Sequence, residues 1–210
     1  MNIAIVCGAR PNLIKVAPLL RTIHGNKNYQ SIHAELIYVG TAADATLDAT
    51  IFSDLAIAPP SVYLGVKCEN LNELTGRVMS AFEHYLQTHP TDVVLVVDDL
   101  ASTMAVTIVT KKAGVRLAHI AAGTRSFDIT MPKEINRLVI DGLSDVLFTA
   151  GASNNSIANK EGAELSKVYM VGNILIDNIR YNRERIEKMR LTDIDALAGL
   201  PLSEGDYLVF

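Results

Sequence analysis

HIAAGTRSFDITMPKEINR, the segment from His119 to Arg137, is where a continuous apolar run stops and a dense set of polar side chains begins. The residues that lead into it, Val115 to Ala122, are typical of a buried strand, and Glu134 to Leu143 are typical of a helix opened by Pro132. In an open parallel sheet, the loops that leave the carboxyl ends of the strands form the ligand crevice. This charged strand-to-helix loop is therefore a predicted binding site.

Strands and helices alternate on both sides of this segment. The pattern predicts strands at Asn2–Cys7, His33–Val39, Ser61–Val66, Asp92–Val97, Arg116–Ala121, Asp145–Thr149 and Lys167–Val171. It predicts helices from Leu13 to about Gly25 and at Thr46–Leu55, Asn70–Gln87, Ser102–Ala113, Ser153–Glu161 and Ile174–Met189. Alternation at this spacing implies right-handed βαβ units. The predicted fold class is α/β, doubly wound, with a mainly parallel sheet.

The regular pattern weakens after Met189. Leu191–Gly205 resembles a linker, and Asp206–Phe210 is typical of a strand that has no helix to follow it. Such a strand would leave an unpaired apolar edge. We therefore predict one domain over residues 1–190, and a linker with the first strand of a truncated second domain over residues 191–210.

Composition excludes several classes of function. The 210 residues are 49% hydrophobic and carry a formal net charge of −4 without a basic stripe, so nucleic acid is not an expected partner. Cys7 and Cys68 stand far apart and lack the spacing of metal ligands, so we expect no zinc site or disulfide framework, and a cytoplasmic location. No segment has the length of a membrane span, and no membrane association is expected.

Two cations flank the first turn of the first helix, Arg10 and Lys15. Helix N-termini already carry partial positive charge, so a bound phosphate or diphosphate would relieve an unfavourable arrangement. Alternatively, both side chains extend into water. No Gly-x-Gly-x-x-Gly follows the first strand, which disfavours NAD or FAD, and no cofactor is expected.

Two adjacent carboxylates, Asp98 and Asp99, end the fourth main strand. They could form an acid and base pair whose proximity raises one pKa, or one of them could cap the following helix, which is the more common arrangement. His119 alternates with apolar residues inside its strand, which favours a hydrogen-bonded packing residue over a ligand. Both interpretations of the aspartates stay open at this point.

Arginines stand on either side of the charged loop, Arg125 and Arg137. A guanidinium can hold a phosphate or carboxylate in a fork, so both are candidate substrate-binding residues. An arginine just after a strand is equally often paired with a neighbouring carboxylate, for which Asp128 is the candidate here.

Five motifs in order resemble the UDP-N-acetylglucosamine 2-epimerase family. Gly8–Lys15 (GARPNLIK) is similar to its Gly-x-Arg-Pro-Glu-x-x-Lys opening, and Asp92–Asp99 (DVVLVVDD) to its strand ending in His-Gly-Asp. His119–Arg125 (HIAAGTR) is similar to His-x-Glu-Ala-Gly-Leu-Arg, and Ser126–Arg137 to Phe-Asp…Met-Pro-Glu-Glu-x-Asn-Arg. Val171–Asp177 (VGNILID) is similar to Gly-Asn-x-x-Ile-Asp. Each motif alone is weak, but the ordered set is specific and covers Met1 to Asn182.

The resemblance implies one half of a two-domain, Rossmann-like architecture of the GT-B type, with a UDP-sugar in the cleft and a homodimer when full length. It implies inversion at C2 of the sugar through UDP elimination and re-addition. By position in the motifs, Asp99 and Glu134 are the implied catalytic residues, and Arg10, Lys15, Arg125, Asp128 and Arg137 the implied substrate-binding residues. This chain alone is expected to be inactive.

The chain departs from the family at two acidic positions. Ala121 stands at the Glu of His-x-Glu-Ala-Gly, and Lys133 stands at the first Glu of Pro-Glu-Glu, which reverses the charge. Asn12, Asp98 and Ala42 also differ from the usual residues. Three hypotheses follow: an epimerase in which other carboxylates transfer the protons, a nucleotide-sugar binding module without turnover, and a GT-B glycosyltransferase.

Overall fold

The computed structural model describes residues 1–190, and in this range the predicted parallel sheet is confirmed. Seven strands lie in the order β3-β2-β1-β4-β5-β6-β7, and every neighbouring pair is parallel. The strands are β1 (Asn2–Cys7), β2 (His33–Tyr38), β3 (Val62–Tyr63), β4 (Val93–Val97), β5 (Arg116–Ala122), β6 (Val146–Thr149) and β7 (Val168–Met170). The order reverses between β1 and β4, which is the switch point where such sheets bind ligands.

Eight α-helices connect or follow these strands within residues 1–190. They are α1 (Arg10–Gly25), α2 (Ala49–Leu55), α3 (Leu71–Thr88), α4 (Ala101–Lys112), α5 (Pro132–Leu143), α6 (Ala152–Lys160), α7 (Leu175–Tyr181) and α8 (Arg183–Lys188). Two short 3-10 segments, Lys27–Tyr29 and Leu165–Lys167, add single turns. Proline stands in the first turn of both α1 and α5, where its missing N–H costs no helical hydrogen bond.

The helices cover both faces of the sheet, which is why the central strand β4 is apolar throughout. In β4, four of the five residues of VVLVV are buried. On one face, Val94 and Val96 pack with α3 and α4 side chains such as Phe82 and Val106. On the other face, Leu95 packs with α1 side chains such as Leu13.

The sequence prediction was wrong about the last helix. Ile174–Met189 was expected to be one helix, but α7 and α8 are divided at Asn182. The carbonyl of Asn178 accepts both the backbone N–H of Asn182 (3.0 Å) and its side-chain amide (2.9 Å) at this division. The linker and strand predicted over residues 191–210 lie outside the described residues. No helix within residues 1–190 is long and apolar enough to cross a membrane.

The register of the sheet brings three strand ends together. Val96 of β4 pairs with Val6 of β1 on one side and with His119 of β5 on the other. The residues that follow these strands, beginning at Gly8, Asp98 and Gly123, therefore emerge side by side at the carboxyl edge. The β5 strand is also irregular here, since its pairing with β6 shifts between Ile120 and Ala122.

Candidate functional site

A cavity of about 330 Å³ lies at this carboxyl edge. Four segments line it: the start of α1, the turn after β4, the end of β5 with its loop, and one face of α5. Their lining residues are Ala9, Pro11, Asn12, Lys15, Asp98, Asp99, Leu100, His119, Ala121, Thr124, Lys133, Arg137 and Asp141. Most of the charged residues singled out from sequence thus meet around one space.

The first ion pair of the cavity joins Lys15 to Asp98. The Lys15 ammonium contacts one carboxylate oxygen of Asp98, and the Asn12 side-chain amide donates to the other (2.9 Å). The Asn12 carbonyl oxygen in turn accepts from the backbone N–H groups of Gly8 (3.0 Å) and Ala9 (3.2 Å). Asn12 therefore ties the loop before α1 to the turn after β4, a role that the sequence pattern did not reveal.

The second ion pair joins Arg137 to Asp99. One carboxylate oxygen of Asp99 accepts from Nε (2.7 Å) and contacts Nη2 (2.6 Å) of Arg137. Side chains of Asp99 and Arg137 are each 17% exposed, toward the cavity. The prediction that Asp98 or Asp99 caps the next helix was wrong, because the N-cap of α4 is Leu100 and receives no side-chain hydrogen bond. We call Lys15–Asp98 and Arg137–Asp99 the cavity pairs.

Glu134 is buried, and its carboxylate accepts hydrogen bonds from the loop that precedes α5 and from Arg137 of α5. Its carboxylate accepts from the N–H groups of Ser126 and Phe127, from the Ser126 hydroxyl and from Nη1 of Arg137, each at 3.0 Å. Burial by itself would raise the pKa of Glu134, but these hydrogen bonds outweigh it and lower the pKa to about 2. These contacts fix the loop, and the predicted catalytic role of Glu134 stays a prediction.

Arg125 belongs to a second, buried group of charges. Its guanidinium contacts Asp141 through Nη1 (2.7 Å) and Glu161 through Nε (2.9 Å) and Nη2, and its side chain is 1% exposed. The alternative that Arg125 pairs with Asp128 was wrong. His119 also bonds to Asp141, as the sequence predicted for a packing histidine. We call His119, Arg125 and Asp141, together with Glu161 at their solvent edge (35% exposed), the buried cluster.

Asp141 holds the buried cluster together. Its carboxylate receives His119 Nδ1 (2.7 Å), the Gly123 N–H (3.0 Å) and Arg125. Burial opposes its ionisation, yet the hydrogen bond and charge of His119, the charge of Arg125 and the Gly123 N–H lower the pKa of Asp141 below its ordinary value. Sequence analysis missed this residue, although its position one turn after Arg137 places both on one helix face.

Glycine is required at position 123 because there is no room for a side chain there, in addition to the hydrogen bond from its N–H to Asp141. Its φ of 71° lies in the left-handed region, and an added Cβ would stand 2.2 Å from the carbonyl oxygen of Asn154. A side chain at this position would thus push α6 away from the loop.

Two predicted substrate-binding residues lie apart from these contacts. Asp128 is exposed and uses Oδ1 to accept from the N–H (3.0 Å) and hydroxyl (2.6 Å) of Thr130, hydrogen bonds that lower its pKa. Arg10 is exposed at the start of α1. Neither lines the 330 Å³ cavity.

Both residues predicted to depart from the family pattern, Ala121 and Lys133, face the cavity. Ala121 lines it with a φ of 69°, a left-handed conformation at the irregular end of β5. Lys133 is 60% exposed, and its ammonium is 3.9 Å from Asp99, too far for a hydrogen bond. The cavity therefore carries one loosely held cation, while Lys15 and Arg137 are neutralised by the two aspartates.

A larger and mostly apolar cavity of about 800 Å³ adjoins the first, and sequence analysis did not predict it. Its walls come from α1, the sheet and α7, with Leu19, Ile120, Phe148 and Tyr181 among the lining side chains. Lys15 and Ala121 line both cavities, so the two are neighbours along the crevice. In the described part of the chain, no group of three or more His, Cys, Asp or Glu is arranged to hold a metal ion.

Comparison with known proteins points to one family. The family model described as UDP-N-acetylglucosamine 2-epimerase matches residues 25–209. The UDP-N-acetylglucosamine 2-epimerase of Methanocaldococcus jannaschii is 34% identical, over 100% of this chain and 56% of its own length. The UDP-2,3-diacetamido-2,3-dideoxy-D-glucuronate 2-epimerase of Pseudomonas aeruginosa is 31% identical, over 88% of this chain and 52% of its own.

Solved structures give the same result. The crystal structure of the M. jannaschii UDP-GlcNAc 2-epimerase in complex with UDP-GlcNAc and UDP superposes with a TM-score of 0.82 at 30% identity, over 92% of this chain and 52% of that one. The chain spans about half the length of the curated relatives it matches. With the family model covering most of its residues, the chain belongs to the UDP-N-acetylglucosamine 2-epimerase family.

Proposed function

We propose that the complete protein that carries this chain binds a UDP-linked amino sugar and inverts C2 of the sugar by eliminating and re-adding UDP. The observation that carries the proposal is the 330 Å³ cavity, where both cavity pairs line one space at the switch point of the sheet. A diphosphate entering this space would meet Lys15, Arg137 and the loosely held Lys133. Cations placed where charge develops on a leaving group lower the barrier to its departure.

In this proposal Asp99 is the base that removes the C2 proton as UDP leaves, and a proton is returned to the opposite face of C2 when UDP re-adds. The Asp99 carboxylate faces the cavity, and the two contacts from Arg137 use only one of its oxygens. A carboxylate oriented in this way is suited to general acid–base work. The proposal assigns Glu134 to holding the loop, because all four of its contacts are to Ser126, Phe127 and Arg137.

The same proposal covers the domain arrangement, the oligomeric state and the cellular location of the complete protein. The family membership and the half-length match support a second, nucleotide-binding domain in a GT-B arrangement, with the linker to it and its first strand within residues 191–210. We further propose that the complete protein is a homodimer and lies in the cytoplasm. The two free cysteines, Cys7 and Cys68, support this location.

The experiment is deuterium exchange at C2 of UDP-N-acetylglucosamine, incubated with the complete protein in D₂O and followed by NMR. Incorporation of deuterium together with appearance of the 2-epimer is the expected result. The 210-residue chain assayed by itself should show neither. Absence of both binding and exchange in the complete protein would overturn the proposal.

A specific observation favours a second candidate, a binding module without turnover. Ala121 and Lys133 line the cavity at the two positions where the family pattern has acids, and neither side chain can act as a carboxylate base. The double substitution Ala121→Glu with Lys133→Glu separates the candidates. A gain in C2 exchange would show that these positions are vacant catalytic sites, whereas a loss would show that the present residues form a working replacement.

A further inference from the structure

The imidazole of His119 lies between two hydrogen-bond acceptors. Nδ1 is 2.7 Å from Oδ1 of Asp141, and Nε2 is 3.1 Å from the backbone carbonyl oxygen of Asp98. The side chain is 2% exposed, and both partners of the ring belong to the protein. Each ring nitrogen therefore needs its own proton to make its bond.

Neutral histidine cannot satisfy this geometry, because one nitrogen of the neutral ring is an acceptor. If Nε2 alone carried the proton, the lone pair of Nδ1 would face the Asp141 carboxylate. If Nδ1 alone carried it, the lone pair of Nε2 would face the Asp98 carbonyl. A buried donor or acceptor left without a partner destabilises the folded protein. Only the imidazolium makes both hydrogen bonds.

The groups around His119 balance the positive charge of its imidazolium. In the buried cluster, protonated His119 and Arg125 stand against Asp141 and Glu161, two cations with two anions. The Asp141 carboxylate is ionised, since the Gly123 N–H and Arg125 both bond to it. Buried charges are tolerated when they are paired in this manner.

The Nε2 contact reaches the turn that carries the cavity carboxylates. Asp98 has a φ of 59°, a conformation that non-glycine residues seldom adopt without support from their surroundings. The support comes from His119 on the Asp98 carbonyl and from the Asp98 N–H, which donates to Ile120 (3.3 Å). Asp98 then holds Lys15, and the next residue, Asp99, holds Arg137.

We propose that His119 is a positioning residue that carries both ring protons in the folded protein and thereby fixes the turn that presents Asp98 and Asp99 to the cavity. The charged groups that face the ring, its two partners or the cavity beside it are Asp98, Asp99, Asp141, Lys15, Lys133, Arg125 and Arg137. The importance of this turn for a ligand rests on the proposed function, whereas the protonation of His119 does not.

The test is ¹⁵N NMR of the ligand-free complete protein with labelled histidines at pH 7.5. The signal of His119, assigned by its loss in His119→Gln, is expected to show two protonated ring nitrogens. His24, His33, His84 and His89 are exposed and supply reference signals in the same spectrum. A singly protonated His119 would overturn the proposal. If His119→Gln fails to fold, through-bond correlation of the ring to the assigned backbone of the unsubstituted protein identifies the signal.

Matched asparagine substitutions test the link to the turn. Asp141→Asn should leave His119 singly protonated and shift the backbone amide signals of Asp98 and Asp99. Asp145→Asn, four residues further and paired with Lys111 outside the cavity, should change neither. Amide signals of Asp98 and Asp99 that stay fixed in Asp141→Asn and in His119→Gln would refute the positioning role.

UDP binding adds an independent readout. We expect Asp141→Asn to weaken UDP binding several-fold relative to Asp145→Asn, because the turn that holds Lys15 is less well fixed. Equal affinity in the two variants would contradict the positioning role. If the unsubstituted protein binds no UDP, the proposed function fails while the NMR result on His119 still decides the protonation state.

Discussion

The buried cluster and the cavity pairs lie on the same strand ends and the same helix, but they use their charges differently. In the buried cluster, the Arg125 side chain is 1% exposed and both of its carboxylate partners belong to the protein. In the cavity pairs, Lys15 and Arg137 keep part of their surface open to a space that a ligand can enter. The difference teaches that a charged residue in a family motif can hold the loop in place instead of binding the substrate.

The largest expected effect comes from removing the centre of the buried cluster. Asp141→Ala leaves His119 and Arg125 without their shared anion, so the free energy of unfolding should fall by about 3–5 kcal/mol, as when one partner of a buried ion pair is lost. Urea denaturation followed by circular dichroism measures it. Asp54→Ala, which removes an exposed ion pair with Arg185, is the control and should cost less than about 1 kcal/mol. Equal losses would contradict the buried cluster's structural role.

A change in the cavity pairs should affect activity more than stability. Asp99→Asn keeps the shape of the side chain but removes the proposed proton-transfer group, so kcat for C2 exchange should fall by about 100-fold or more. Asp128→Asn, on an exposed turn outside the cavity, should stay within about twofold. An Asp99→Asn enzyme that keeps its rate would remove Asp99 from the proposed chemistry.

Substitution of Glu134 tests whether a carboxylate beside the cavity stabilises the loop. Glu134→Gln weakens four hydrogen bonds to a charged group, and the free energy of unfolding should fall by about 1–3 kcal/mol. Because the folded-state pKa of Glu134 is lowered to about 2 from 4.5, its stabilising contribution is present above pH 4.5 and is lost as the pH falls toward 2.

The difference in unfolding free energy between Glu134→Gln and the unsubstituted protein should therefore shrink between pH 5 and pH 2. A difference that stays constant over this range would show that the loop contacts do not depend on the Glu134 charge.

The smallest effect is expected at Lys133, where the sequence comparison predicts a charge reversal. Its ammonium is 3.9 Å from Asp99 and mostly solvated, so Lys133→Ala should change the unfolding free energy by less than about 0.5 kcal/mol. If Lys133 contacts the diphosphate, the same variant should weaken UDP binding and reduce its salt dependence. An unchanged salt dependence would place Lys133 outside the ligand contacts.

Much of the fold could be predicted from sequence because its signals are local. Apolar runs such as Val93–Val97 and prolines such as Pro132 fix strand and helix positions to within a few residues. The division of the last helix could not be predicted in this way, since the apolar spacing of Ile174–Met189 continues across Asn182. At Asn182 the Asn178 carbonyl accepts the side-chain amide as well as the backbone N–H, a contact that apolar spacing does not report.

The candidate site was predicted less completely, for a physical reason. Sequence spacing showed that Arg125 and Arg137 flank one loop, but their partners lie on other elements: Glu161 follows α6, and Asp99 follows β4. Asp141 was missed because its function depends on three-dimensional contacts with His119 and Gly123. Motifs identified the residues of the crevice, and only the fold shows which of them face it.

The most direct test of the difference between the cavity pairs and the buried cluster uses two variants of the complete protein, Lys15→Ala and Arg125→Lys. For each variant, UDP binding is measured by calorimetry, and the melting temperature is measured beside it. We predict that Lys15→Ala weakens UDP binding at least tenfold with a small change in melting temperature, because Lys15 faces the cavity. We predict that Arg125→Lys lowers the melting temperature while UDP affinity stays within about twofold, since lysine cannot reproduce the fork to Asp141 and Glu161. The reverse pattern, with UDP affinity lost in Arg125→Lys and kept in Lys15→Ala, would contradict the account.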